Sequence, residues 1–272
     1  MVPAMQCKRA AILALCAGAM AGPAGAWSVE DVLQAQVLPG WRTAEGTHMA
    51  ALHLTLAEGW KTYWRAPGEN GVPPRFDWEG SENLDGVEMH WPRPTVFDTG
   101  GLRTIGFAHE LVLPMEVTLR DAAAAARLVA RVDLGVCETV CVPVTVEVAA
   151  ALPVAAGGDP RIDAALADRP APAGAAGLRS AQCAVAPLED GLRLTATLEM
   201  PSLGAGELAV IELHDESVWV SEAVSRRAGD RLTAEADLVA MDGGAVALDR
   251  AALRITVLAE GRAVELVGCP AP

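Results

Sequence analysis

The residues of this sequence best suited to chemistry are cysteines, above all Cys137 and Cys141, which stand four positions apart. In a straight strand their Cα atoms would lie ~13 Å apart, well beyond the ~7 Å that a disulfide allows. A tight turn or one helical turn would bring them within reach. The flanking segments, 127–134 and 142–149, have the alternating pattern of strands. A strand–turn–strand arrangement therefore predicts that the two sulfurs meet.

A bridge between Cys137 and Cys141 would close a very small loop and add little stability through chain entropy. Reversible thiol–disulfide exchange therefore explains the pair better, and a minor structural staple is the alternative. A thioredoxin-type site is not indicated, because the spacing is not C-x-x-C and no βαβ pattern surrounds it. The neighbouring Glu138 and Asp133 would disfavour a thiolate, and no Lys, Arg or His lies within four positions along the chain.

Metal binding is a further possibility for such a pair, since thiolates suit soft ions such as Zn²⁺ and Cu⁺. The sequence offers no second Cys or His pair at ligand spacing, and its histidines are scattered: His48, His53, His90, His109 and His214. Neither a phosphate-cradling glycine motif nor Gly-x-Ser-x-Gly is present. We therefore predict no metal site and no cofactor.

The N-terminal residues 1–26 have the features of a secretory signal peptide. Lys8 and Arg9 precede an uncharged apolar run over 10–22, and small residues at 24–26 suit a signal peptidase. The run is shorter than the ~20 residues needed to span a bilayer. We expect cleavage before Trp27 and export to the periplasm, without stable membrane insertion.

Removal of the signal leaves four cysteines, which allow three connectivities in an oxidising compartment. Cys183 and Cys269 bracket the last hundred residues, and a bridge between them would close a long loop worth ~4–5 kcal/mol in the chain-entropy model. We predict a structural disulfide here, with a second redox couple as the alternative. The expected pairs are therefore Cys137–Cys141 and Cys183–Cys269, each within one domain.

Two domains are predicted from composition. Residues 153–177 are rich in Ala, Pro and Gly, with a possible short helix over 162–166, and ten of the eleven aromatic residues precede this segment. We assign 1–26 to the signal peptide, 27–152 to a first domain, 153–177 to a linker and 178–272 to a second domain.

Both predicted domains have the pattern of short strands separated by turn residues. In the first domain the strand candidates are 48–56, 61–65, 87–91, 110–119, 127–134 and 142–149. In the second they are 192–198, 208–213, 218–223, 232–238, 253–258 and 264–267. No long amphipathic helix interrupts either set, so the prediction is all-β, with an antiparallel sandwich in each domain.

The charge of the chain narrows the class of partner. Its formal net charge is −14, and such an acidic surface repels phosphate backbones, so nucleic-acid binding is excluded.

Lys61 is the only lysine beyond the signal peptide, and a lone lysine is usually solvated. The stretch from Phe97 to Gly101 has the composition of a loop with an apolar residue at its edge.

Several motifs together resemble one known family. In chain order they are GWKTYWR, GVPPRFDW, HWPRPTVFDTGGLRTIGF, ELVLPMEVTL and VDLGVCETVCVPVTVEV. This order resembles the N-terminal periplasmic domain of DsbD-type thiol:disulfide interchange proteins, in particular the ScsB-like branch with its C-x-x-x-C-x-P motif. The resemblance covers residues 33–152. Cys183, Trp219 and the terminal Gly268-Cys269-Pro270 are similar, more loosely, to a second domain of such chains.

The resemblance implies an immunoglobulin-like sandwich whose cysteines pass electrons from a membrane-embedded thiol donor to periplasmic thiol/disulfide proteins. By the same resemblance, Cys141 forms the mixed disulfide and Cys137 resolves it. Phe97 matches the aromatic residue of a cap loop over the cysteines, and Tyr63 falls near the strand that flanks the pair. The family's membrane domain and thioredoxin-like domain have no counterpart in these 272 residues, so we expect the donor to be another protein.

The leading hypothesis is therefore a periplasmic thiol–disulfide exchange module, a component of a protein-disulfide reductase system. The alternative is a non-catalytic binding or adaptor module, chaperone-like or related to copper tolerance. The two hypotheses differ in the behaviour of the bridge between Cys137 and Cys141: exchange requires that it opens and closes, whereas an adaptor leaves it permanently oxidised.

Overall fold

The structure is a computed structural model that describes residues 28–155 and 157–272. The predicted signal peptide lies outside the described residues. The described residues form two short helices and nineteen strands, which are, in chain order, α1 (Val29–Val32), β1 (Leu33–Arg42), β2 (His48–Leu56), β3 (Lys61–Tyr63), β4 (Arg75–Asp77), β5 (Leu84–Met89), β6 (Thr95–Thr99), β7 (Leu102–Ala108), β8 (Glu110–Leu119), β9 (Ala126–Cys137), β10 (Cys141–Leu152), α2 (Pro160–Ala167), β11 (Ala171–Pro172), β12 (Ser180–Leu188), β13 (Gly191–Glu199), β14 (Leu208–Glu212), β15 (Val218–Val220), β16 (Val224–Ala228), β17 (Arg231–Ala240), β18 (Arg254–Ala259) and β19 (Arg262–Val267).

Strands β1 to β10 form two antiparallel sheets, called here the first sandwich (residues 33–152). One sheet has the order β1-β2-β8-β5, and the other has the order β10-β9-β3-β7-β6, with β4 also paired to β9. The longest ladder is the β9–β10 hairpin, in which twelve residue pairs are in register. Its position in the sheet places the end of β9 directly beside β3.

The core of the first sandwich lies between its two sheets. Alternating apolar residues of β2 and β8, such as Leu52 and Leu113, pack there against Leu128 and Val132 of β9. Each of these four side chains is at most 2 % exposed. The predicted bounds 48–56 and 110–119 agree with the observed strands, because strict period-2 alternation identifies a strand with one buried face.

Strands β11 to β19 form two further sheets, called here the second sandwich (residues 171–267). Their orders are β11-β19-β18-β14 and β12-β13-β17-β15, with β16 also paired to β17. All of these pairings are antiparallel except the short parallel contact of β11 with β19. A separate apolar cluster fills the space between these sheets, and it includes both Cys183 and Cys269.

The segment 153–177 makes contacts with both sandwiches. Helix α2 begins after Asp159, whose carboxylate accepts a hydrogen bond from the Arg161 backbone N–H, a standard N-cap. The helix buries Ile162 against Met49 and Ala51 on the outer face of β2. This explains why residues on both faces of β2 are buried. The division into two domains and a linker stays a prediction.

The two sandwiches also meet directly. Leu208, Leu258 and Ala263 of the second sandwich belong to the same apolar cluster as the core of the first. Next to them, Arg65 lies with Nε 2.7 Å from Glu212 Oε1 and Nη2 2.5 Å from Glu265 Oε2. All three side chains are less than a quarter exposed. These contacts hold the end of β3 against the second sandwich.

The sequence patterns missed seven strands: β1, β4, β6, β7, β11, β12 and β16. Strand β1 carries glutamines at its alternate positions and is interrupted by an irregularity in register between Leu38 and Trp41. Strand β12 lies at the edge of its sheet and is mostly exposed. Edge and irregular strands bury few side chains, so their apolar alternation is weak.

Candidate functional site

The β9–β10 hairpin brings Cys137 and Cys141 together. Cys137 is the last residue of β9 and Cys141 the first of β10, and three residues form the loop between them. The two cysteines are paired in register with Cα atoms 4.1 Å apart, and their sulfurs form a disulfide. The turn that the strand–turn–strand pattern required is therefore a β-hairpin loop.

The two cysteines differ in their exposure to solvent. Cys137 is 1 % exposed, whereas Cys141 and the whole loop, including the apolar Val140, are exposed. A thiolate attacks a disulfide at one sulfur and expels the other. Only the Cys141 side of this bridge is open to a large partner, so the buried Cys137 sulfur is placed to leave.

Tyr63 is the side chain in closest polar contact with this bridge. Its Oη lies 2.8 Å from Cys137 Sγ and 3.0 Å from Cys141 Sγ, and the ring is 3 % exposed. Burial raises the pKa of Tyr63. The phenol therefore stays protonated at neutral pH and can donate its proton to sulfur. The resemblance put Tyr63 near the strand that flanks the pair, and the contact with both sulfurs appears only in the structure.

Two glycines form the slot that holds the Tyr63 ring. A Cβ atom on Gly135 would lie 2.8 Å from Tyr63 Cε2, and one on Gly71 would lie 3.0 Å from Tyr63 Cδ1. Gly135 belongs to β9 and Gly71 to the loop after Pro67. Sequence reasoning missed both, although the Gly71-Val72-Pro73-Pro74 stretch was a signal of an unusual backbone there.

Phe97 lies in strand β6, and the expectation of a loop at this residue was wrong. The turn comes later, at Gly100 and Gly101, which both have positive φ angles that glycine adopts without strain. Strand β6 pairs with β7, which in turn pairs with β3. The half-buried Phe97 ring lies 5.0 Å from the Lys61 ammonium group. A role of Phe97 as a cap over the cysteines stays a prediction.

The second sandwich contacts the loop that leads to Gly71. The Glu222 backbone N–H donates to Glu69 Oε1 at 3.0 Å, and the Glu222 carboxylate forms an ion pair with Arg103 of β7. Asn70 donates a weaker hydrogen bond to the Arg103 carbonyl, and its own carbonyl faces Tyr63 Oη at 3.4 Å. Contacts between residues more than a hundred positions apart leave no local signal in a sequence.

The Cys183–Cys269 bridge has a different environment. Its Cα atoms are 5.6 Å apart, and neither residue is more than 1 % exposed. The Cys183 N–H also donates to the Pro270 carbonyl at 2.8 Å, which fixes the C-terminal segment to β12. Neither sulfur is open to a partner, and the closed loop spans 86 positions.

Residues 28–155 and 157–272 contain neither a metal-ligand cluster nor a membrane-spanning helix. No group of three or more His, Cys, Asp or Glu side chains there has an arrangement that could hold a metal ion. No helix in the same part of the chain is both long and apolar enough to span a membrane.

Comparisons with known proteins give a family match to the first sandwich and a structural match to most of the chain. Residues 33–153 match the family model described as thiol:disulfide interchange protein DsbD, N-terminal. No curated protein matches the chain. The crystal structure of the N-terminal periplasmic domain of ScsB from Proteus mirabilis is similar over 88 % of this chain and 92 % of that one, with 23 % identity and a TM-score of 0.59. The predicted all-β, immunoglobulin-like fold is confirmed.

Proposed function

We propose that the chain is a periplasmic thiol–disulfide exchange module, since residues 33–153 match the family model of DsbD N-terminal domains. It passes electron pairs through Cys137 and Cys141, from a thiol donor embedded in the membrane to periplasmic acceptor proteins. The observation that carries the proposal is the asymmetry of the bridge, with Cys141 open to solvent and Cys137 buried beside Tyr63.

Reduction of the bridge follows from this asymmetry. A donor thiolate attacks Cys141 Sγ, the bond between the two sulfurs breaks, and Cys137 leaves as a thiolate. A second donor thiolate then attacks the donor sulfur of the mixed disulfide. This step releases Cys141 as a thiolate and leaves the donor oxidised. The two electrons now reside on the cysteine pair.

Electron delivery reverses the order of these events. The Cys141 thiolate attacks an acceptor disulfide and expels one acceptor thiolate. The Cys137 thiolate then attacks Cys141 Sγ, which closes the bridge and expels the second acceptor thiolate. Because Cys137 acts only within the chain, its burial does not hinder exchange and protects the pair from a second partner.

The domain assignment belongs to the same proposal. We place the redox unit at 27–152 and a second unit at 178–272, joined by 153–177. Two observations support this: no strand pairing joins the two sandwiches within the described residues, and Cys183–Cys269 closes the second one on itself. The signal-like residues 1–26 and the likeness to a periplasmic domain support export to the periplasm.

A trapping experiment tests the exchange function. Cys137→Ala leaves the exposed Cys141 without its resolving partner, so we expect mixed disulfides with periplasmic or membrane proteins that dithiothreitol releases. The matched control is Cys141→Ala, which keeps only the buried Cys137 and should trap far less. Equal trapping by the two variants, or a wild-type pair that alkylation in cells finds permanently oxidised, would instead favour the adaptor function.

A further inference from the structure

Lys61 lies beside Cys137 because strand β3 pairs with strand β9, although the two residues are far apart in the sequence. In the β3–β9 ladder the two residues are directly opposite each other, and Tyr63 follows two positions later. Side chains of directly opposed residues in an antiparallel pair project from the same face, with Cβ atoms ~4.5–5.5 Å apart. Lys61, Tyr63 and Cys137 therefore share one face of this sheet.

The Lys61 ammonium group is only weakly held in the disulfide form. Its Nζ lies 5.0 Å from the centre of the Phe97 ring and 3.5 Å from Thr99 Oγ1, at the limit of a hydrogen bond. It forms no ion pair with any carboxylate among the described residues. The flexible four-carbon stem of a lysine lets this charge move between neighbouring groups.

Opening of the bridge creates a charge that needs a partner. Cys137 is buried, and burial disfavours a thiolate unless an opposite charge or hydrogen-bond donors face it. The other titratable groups on the neighbouring elements include Tyr63 on β3, Glu138 in the hairpin loop and Asp98 on β6. Tyr63 can donate one hydrogen bond, whereas the two carboxylates oppose a thiolate. Lys61 is the cation in register with the leaving sulfur.

We propose that Lys61 supplies the counter-charge for the Cys137 thiolate, its ammonium group moving from the Phe97 ring to the sulfur when the bridge opens. The inference rests on the proposed exchange function and assigns a positioning and electrostatic residue to it. When a donor thiolate bonds to Cys141 Sγ, the electron pair of the broken bond goes to Cys137 Sγ. The ammonium group keeps its proton and stabilises that charge.

The test compares Lys61→Met with Lys61→Arg and with Arg75→Met. Arg75 is an exposed cation on β4, which also pairs with β9, but it lies opposite Asp133, four positions from Cys137. The measurement is the pH dependence of alkylation by iodoacetamide at Cys137 of the reduced pair, resolved from alkylation at Cys141 by peptide mass, with the Cys183–Cys269 bridge verified as intact in the same digest. The pH midpoint of this reaction reports the pKa of the thiol. The plateau rate at high pH reports how easily iodoacetamide reaches the thiol, so a loosened Phe97 ring would change the plateau and not the midpoint.

Loss of a charge that moves to within ~5 Å of Cys137 Sγ should raise the pKa of the Cys137 thiol by roughly 0.5 to 2 in Lys61→Met. Reduction of the bridge by dithiothreitol at pH 7 should slow several-fold in the same variant. Lys61→Arg and Arg75→Met should keep the wild-type midpoint. An unchanged midpoint in Lys61→Met, or an equal change in Arg75→Met, would overturn the proposal.

A second readout follows the lysine itself. With ¹³Cε-labelled lysine, the Lys61 resonance is assigned by its loss in Lys61→Arg. We expect it to change position on reduction of the pair in the wild-type chain but not in Cys137→Ala. An identical resonance in the oxidised and reduced wild type would also overturn the proposal. Failure of the exchange function would give a different result. Cys137→Ala would then trap no partner, whereas the effect of Lys61→Met on the thiol pKa could still be present.

Discussion

At the residue scale, the two disulfides of this chain differ in what surrounds their sulfurs. Cys141 is exposed and shares the Tyr63 hydroxyl with Cys137, whereas Cys183 and Cys269 are both sealed in apolar core. Exposed short-loop bridges are reduced more readily than buried long-loop ones. The Cys137–Cys141 bridge is therefore suited to repeated opening and closing, and the Cys183–Cys269 bridge is suited to a permanent structural role.

Tyr63→Phe should test the phenol at this scale. The substitution keeps the ring in its slot and removes only the donor to the sulfurs. A hydrogen bond to a charged group contributes about 1.5–3 kcal/mol, so the pH midpoint for alkylation of the reduced pair should rise by about one or more. Reduction by dithiothreitol should slow about tenfold.

The matched control for Tyr63→Phe is the neighbouring Thr62→Val. The Thr62 hydroxyl is buried and donates to the Gly135 carbonyl at 2.9 Å, so its loss should lower the free energy of unfolding by about 1–3 kcal/mol. It should leave the thiol midpoint unchanged, because it does not contact the sulfurs. If both variants moved the midpoint alike, the Tyr63 hydroxyl would have no specific role.

At the element scale, the site depends on how closely β3 and β9 approach. Gly135 is buried and its Cα faces the Tyr63 ring, so Gly135→Ala would place a methyl group 2.8 Å from a ring carbon. Overpacking of this kind costs about 1–3 kcal/mol in the free energy of unfolding, measurable in urea. The displaced ring should also lose its contacts with sulfur, so reduction of the bridge should slow as in Tyr63→Phe.

Gly86→Ala is the control for this prediction. Gly86 also lies in a strand, β5, but a Cβ atom there would meet nothing within 4 Å. Its replacement should change the free energy of unfolding by no more than about 0.5 kcal/mol and leave the bridge unaffected. Equal costs at the two glycines would show that the Tyr63 slot tolerates an added methyl group.

The β6–β7 hairpin supports a further prediction. If the Phe97 ring shields the cysteines, Phe97→Ala should speed oxidation of the reduced pair by a small disulfide several-fold, as measured by stopped flow. Val96→Ala, on the opposite face of β6, should not change this rate, and the circular dichroism of both variants should stay native. Equal oxidation rates in Phe97→Ala and the wild type would show that the ring is ordinary sheet packing.

At the scale of the whole molecule, the second sandwich supports the strand that carries the site. Arg65 follows Tyr63 and Trp64 directly, and its guanidinium group stacks over the Trp64 ring while it pairs with Glu212 and Glu265. Burial lowers the pKa of Arg65, but the hydrogen bonds and charges of the two glutamates outweigh it, so the pKa is raised. The guanidinium group stays charged.

Arg65→Met should therefore leave two partly buried carboxylates without their cation. We expect a loss of about 2–4 kcal/mol in the free energy of unfolding, and a smaller loss when Glu212→Gln is combined with it. Arg231→Met is the control, because Arg231 pairs with Glu199 at 2.6 Å but is 63 % exposed and should cost less than about 1 kcal/mol. Additive effects of Arg65→Met and Glu212→Gln would contradict a coupled cluster.

The sequence by itself determined the strand class, two strand bounds and the cysteines that could form a turn. These features depend on periodicity and spacing over a few residues, because a pleated strand alternates its faces whatever its neighbours are. The hairpin at Cys137 and Cys141 could be inferred for the same reason. Strand β6 could not, since Phe97 lies in a short edge strand with little apolar alternation.

Only the tertiary structure decided what surrounds the sulfurs. Along the chain no cation lies near Cys137, yet the register of β3 with β9 sets Lys61 opposite it and Tyr63 beside it. Likewise Arg65 meets Glu212 across 147 positions. Such contacts depend on the pairing of the strands, on the register of each pair and on the second sheet that packs against them. Those choices depend on burial summed over the whole molecule, which a short stretch of sequence does not contain.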